Sequence, residues 1–109
     1  SDSKDDEVFF RRRHLRAKYE CHVLVHDRKK LFKAESFQIS AGGAGLKIKD
    51  VTFEIEQQLY LHFRASDQVP AFNAVCRVVS KSGQKFGIRF LHVASITKDA
   101  ISTFTNKVA

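Results

Sequence analysis

The sequence predicts an all-β domain, an antiparallel barrel or sandwich of six short strands, followed by one C-terminal helix. Three observations carry this expectation. Apolar and polar residues alternate in short runs at roughly ten-residue spacing. Gly, Asp and Ser-rich connections separate the runs, and the last segment changes to helical spacing. With 109 residues, 43% of them apolar, the chain is one domain able to bury a core without staples.

The elements follow in chain order. Residues 1–10 carry one Lys against four acids and read as a disordered acidic lead-in. Residues 11–18, RRRHLRAK, form a flexible basic arm, and the barrel or sandwich spans 19–93. YECHVLVH (19–26) places Tyr19, Cys21, Val23 and Val25 on one face, as a half-buried strand does. DRKK turns the chain, and LFKAESFQIS (31–40) returns as the second strand of a hairpin. AGGAG then demands a turn or bulge, with either positive φ or a close approach of backbones. Strands are expected at 44–50, 57–65, 71–81 and 84–93, the last two joined by a short connection containing Gly83. In 95–108 the residues Ile96, Ala100, Phe104 and Val108 recur every fourth position, an apolar helical stripe with Ser95 as its N-cap.

Charge narrows the function. The net charge is +7, and residues 11–33 alone hold nine Lys/Arg against two acids. A field so concentrated favours an anionic partner: nucleic acid, an anionic membrane surface or a phosphorylated small molecule. Cys21 and Cys76 lie far apart without a CxxC pair, which reads as two reduced thiols rather than a disulfide scaffold or zinc site. His22 and His26 are four residues apart on one strand, about 13 Å and too far to share a metal. No nucleophile has a visible base partner, so the chain is not read as an enzyme. No apolar run is long enough to span a bilayer and no signal-peptide pattern opens the chain, so a cytoplasmic protein without membrane insertion is expected.

Two stretches carry the binding chemistry. Arg12 and Arg16 lie four apart on the arm, and their planar forks suit a compact dianion. Gln38 and Ser40, two apart, share one face of a strand that ends in Gly42 and Gly43, where missing Cβ atoms would let a flat ring approach. RRRHLR followed by QISAGGAGL resembles the PilZ domain, a bacterial receptor module for cyclic di-GMP, whose signatures are RxxxR before the first strand and (D/N)xSxxG at the end of the second. The resemblance covers nearly the whole chain and implies a six-stranded antiparallel barrel with a C-terminal helix. It also implies that Arg12 and Arg16 grip the phosphates and guanine faces, and that Ser40 and Gly43 cradle another guanine. Arg11 and Arg13 flank the motif as candidates for a further contact.

Gln38 departs from the pattern, because the usual Asp or Asn accepts from a guanine edge. One amide oxygen on a longer stem should weaken that contact by roughly 1–2 kcal/mol. The resemblance thus implies a cyclic di-GMP receptor switch, needing no metal, that signals to a downstream protein or fused effector domain. The alternative is a PilZ-like protein-interaction module whose ligand binding Gln38 has weakened or lost. Nucleic acid is not the expected partner. Gly43→Val is expected to block the guanine berth and leave the fold intact.

Overall fold

The computed structural model describes residues 15–108. Among these residues seven strands and one helix follow in order: β1 Ala17–Lys18, β2 His22–His26, β3 Leu31–Ser40, β4 Gly43–Lys47, β5 Gln58–Phe63, β6 Phe72–Ser82, β7 Lys85–His92 and α1 Ser95–Val108. All pairings are antiparallel. The order β3-β2-β5-β6-β7-β4 closes on itself because β4 also pairs with β3, giving a six-stranded barrel. The two-residue β1 continues the line of β2 along the same edge of β3. The last two residues of the expected arm are therefore strand.

The expected first strand is interrupted at residues 19–21. From Lys18↔Gln38 to His22↔Glu35 the first strand advances four residues while β3 advances three. Buried Ser36 patches the gap: its hydroxyl donates to the Tyr19 carbonyl (2.6 Å) and accepts from the Cys21 amide (3.1 Å). Those backbone groups would otherwise lose a ladder partner in a place shielded from water. On its other edge β3 bulges: Ser36 pairs with Leu46 and Gln38 with Gly45, so Phe37 is the extra residue. The bulge reverses the alternation. Ala34 and Ser36 are buried before it, Ile39 and Ala41 after it, and Gln38 and Ser40 consequently face outward. Phe37 lies across Gly45, where a Cβ would come within 2.5 Å of the ring.

Inside the barrel, Val23, Val25, Leu46, Leu59, Leu61, Val78 and Ile88 form the aliphatic core. Phe63 stacks on Phe72 at 4.4 Å, and Phe90 meets both rings edge-on. One end, here the upper, carries the β2–β3 turn, the β6–β7 turn and the 48–57 connection. In that connection Phe53 plugs the barrel against Phe32 and Phe86. The expected strand through 50 ends early, at Lys47, because the chain crosses the barrel mouth there.

The lower end carries the β3–β4 turn and α1. Phe104 packs edge-on to Tyr19 at 5.4 Å, and the Tyr19 hydroxyl donates to Ser66 Oγ. The buried helix face is Ile101, Phe104 and Thr105, whereas Ile96 is 78% and Val108 55% exposed. The expected stripe is therefore rotated: contact with the barrel floor begins a turn into the helix and selects i, i+3 and i+4 from Ile101. Ser95 is not the cap, since the amides of Thr97 and Lys98 both donate to the Ala94 carbonyl. Both thiols are free; burial pushes Cys76 up to about 12 and raises half-buried Cys21 in the same direction.

Candidate functional site

The two sequence motifs meet on the outer wall of the lower barrel half. A cleft of about 760 Å³ there is lined by Arg16, Gln38, Ser40, Gly42 and Gly43 together with Ser80, Gly87, Arg89, Phe90 and Lys98. Of the eight expected site residues five line it; Arg11, Arg12 and Arg13 lie outside the described residues.

Each side chain has a structural reason to be there. Because of the Phe37 bulge, Gln38 and Ser40 both face the cleft rather than the core. The Ser40 hydroxyl accepts from the Gly42 amide (3.2 Å) and donates toward the Gly43 carbonyl (3.4 Å), holding the two-residue Ala41–Gly42 turn. The Phe90 amide donates to the Gly42 carbonyl (2.8 Å) and ties that turn to β7. Gln38 makes no side-chain hydrogen bond among the described residues, so its amide is available to the cleft.

Gly43 also has a structural role in the barrel wall. A Cβ on Gly43 would overlap the Ile88 carbonyl oxygen, so the missing side chain lets β4 and β7 close together. Gly43→Val would strike backbone, and the expectation of an intact fold is overturned. Left-handed φ is also not the reason for AGGAG: among the described glycines it occurs at Gly83 (60°).

Sequence reasoning missed Arg89 and Lys98. Arg89 faces out from β7 directly opposite Gly43, which in turn pairs with Ser40. Lys98 enters from the first turns of α1. With Arg16 they bring three exposed cations from three separate elements to a cleft that, among the described residues, is lined by no acid, and none of them makes an ion pair there. Alternation in KFGIRF marks Arg89 as outward-facing, but only the β4–β7 pairing places it beside Gly43. No group of three or more His, Cys, Asp and Glu among the described residues is placed to hold a metal ion.

The PilZ domain family model matches residues 10–107. The chain belongs to the PilZ domain family. Solved structures with the same fold include the Bacillus subtilis inhibitor of motility MotI/DgrA (TM-score 0.77, 18% identity), covering 88% of this chain and 50% of that one. The PilZ domain of YcgR from Escherichia coli, solved with c-di-GMP, matches at TM-score 0.71 and 13% identity over 90% of this chain and 91% of that one. The PilZ domain of CeSA from a cellulose-synthesizing bacterium matches at TM-score 0.64 and 10% identity, over 84% and 95%. No curated protein matches the sequence. The PilZ domain described here thus spans half the length of the Bacillus subtilis chain. No helix among its described residues is long and apolar enough to cross a membrane.

Proposed function

We propose that this PilZ domain is a non-enzymatic receptor for cyclic di-GMP that works as a switch. The observation that carries the reading is the convergence of Arg16 with Gln38, Ser40 and the Gly42–Gly43 turn in one cationic cleft, although the two segments are over twenty residues apart. A cyclic dinucleotide presents two phosphates and two flat bases, and the cleft offers guanidinium forks beside a backbone turn of small residues. Arg12 and Arg16 grip phosphate and stack on guanine while the arm closes over the ligand. Arg89 and Lys98 add charge from the opposite wall. Charge-assisted hydrogen bonds offset the entropy of ordering the arm, and the closed arm presents a new surface to a downstream protein or fused effector domain in the cytoplasm.

Gln38 favours one second reading, a PilZ-like interaction module with weakened or lost ligand binding. Calorimetric titration with cyclic di-GMP at about 150 mM salt, with GMP as control, separates the two. Saturable binding at micromolar or tighter Kd supports the receptor, and Arg12→Ala or Arg16→Ala should then weaken it at least about tenfold. Absence of heat from the parent, with binding appearing in Gln38→Asp, supports the module.

A further inference from the structure

The cationic excess of the sequence is not exhausted by the arm. A second concentration lies in the β2–β3 turn, where Arg28, Lys29, Lys30 and Lys33 surround Leu31 within seven residues that hold a single acid, Asp27. Asp27 is engaged locally: its Oδ1 accepts from the amides of Lys29 (2.9 Å) and Lys30 (2.8 Å), bonds that hold its carboxyl below the usual range. Arg28, at φ 82°, folds back so that Nη2 donates to the Tyr60 hydroxyl (2.9 Å) with its guanidinium over the ring. The three lysines project into solvent, and none of the four cations makes an ion pair among the described residues. Between them Leu31 is 64% exposed, and Leu24, opposite Lys33, is 36% exposed. Antiparallel topology places the β6–β7 turn, with exposed Lys81 and Lys85, and the 48–57 connection, with Ile55 44% exposed, at the same upper end.

We propose that this upper end is a peripheral contact for an anionic lipid surface. A protruding turn with an aliphatic tip ringed by lysines suits a headgroup layer: ammonium groups stay among phosphates while Leu31 reaches the acyl boundary. Nucleic acid is a poorer match, since the ring beside the turn, Tyr60, already holds the Arg28 guanidinium over one face and at its hydroxyl, while the tip of the turn is the aliphatic Leu31 rather than a stacking aromatic. The contact is separate from the ligand cleft. Leu31 and Ser40 are at opposite ends of β3, about 30 Å apart along the strand, so lipid and cyclic dinucleotide bind without excluding each other.

Sedimentation of the full chain with phosphatidylcholine vesicles, with and without about 30% phosphatidylglycerol, tests this at about 100 mM salt. The parent should bind the anionic vesicles and ignore the neutral ones. Lys29→Gln/Lys30→Gln should lower vesicle affinity by about tenfold or more, near fivefold per cation. Leu31→Ser should weaken vesicle binding severalfold but leave retention on heparin, a polyanion without an apolar phase, unchanged. Arg12→Ala/Arg16→Ala should retain most of the vesicle affinity. The proposal is overturned if the parent ignores anionic vesicles, as it would were the turn's partner an acidic protein. It is equally overturned if the arm variant rather than the turn variant loses binding, or if Leu31→Ser binds vesicles like the parent. All these described side chains are exposed, and an unchanged thermal melt separates lost binding from lost fold.

Discussion

The two ends of β3 concentrate positive charge by opposite routes. At the upper end Arg28, Lys29, Lys30 and Lys33 are neighbours in the chain, held by a turn whose own Asp27 carboxylate caps it. At the lower end Arg16, Arg89 and Lys98 come from the segment before β1, from β7 and from α1, and closure of the barrel brings them to one cleft. The local cluster should persist in a loosened fold, whereas the convergent one exists only while β4, β7 and α1 are docked. A turn provides charge cheaply; a barrel provides charge with geometry.

Gly43→Val strikes the lower, convergent cluster hardest. Its branches would overlap the Ile88 backbone, and a loss of about 3 kcal/mol or more is expected, enough to prevent folding of a marginal domain. Chemical denaturation would measure it, and a variant as stable as the parent would mean that β4 and β7 are not in close contact. Ser36→Ala comes next: it strips the Tyr19 carbonyl and Cys21 amide of their partner, for about 1–3 kcal/mol. Because Ser36 adjoins the bulge, cyclic di-GMP affinity should fall with stability, and calorimetry beside a melt shows whether the two move together.

Arg89→Ala removes charge from the lower cleft and leaves the barrel closed. It should weaken cyclic di-GMP roughly tenfold with no change in the melt, since Arg89 is exposed and makes no ion pair among the described residues. The smallest effect belongs to Asp27→Asn at the upper turn. A carboxyl whose pKa is lowered by folding contributes stability above its unfolded value and loses it as pH falls through the folded one. The variant should therefore melt slightly below the parent at neutral pH and coincide with it in acid, a difference that calorimetric scans at the two pH values would resolve.

Much of this was legible in the chain itself. Alternation located all six barrel strands because each has one face on the core, and the switch to helical spacing placed α1 at Ser95–Val108. Two spaced motifs located half of the cleft. What stayed hidden depends on contacts distant in sequence. Tyr19, Cys21, Val23 and Val25 read as one continuous strand because the break at 19–21 is repaired by Ser36, whose hydroxyl looks like any solvated serine. Ile96 and Val108 seemed core-facing because periodicity fixes a stripe but not the point where the barrel meets it. That Gly43 also lets β4 and β7 close was hidden because a missing side chain does not say which neighbour fills the space. Arg89 had no distinguishing neighbour at all until β7 was laid against β4.

Phe37 gives β3 a change of phase. Before it, even-numbered residues meet the core and odd-numbered ones meet water; after it the parity is reversed. A strand of ten residues thus contains two reading frames of the same alternating code. Pairing Phe37 into the ladder as an ordinary residue would merge the frames, sending Gln38 and Ser40 inward and Ile39 outward without altering any residue of the binding motif. The motif therefore has meaning only relative to a punctuation mark that lies one residue ahead of it, and a comparison of sequences that counts motif letters alone would score a chain without the bulge as complete.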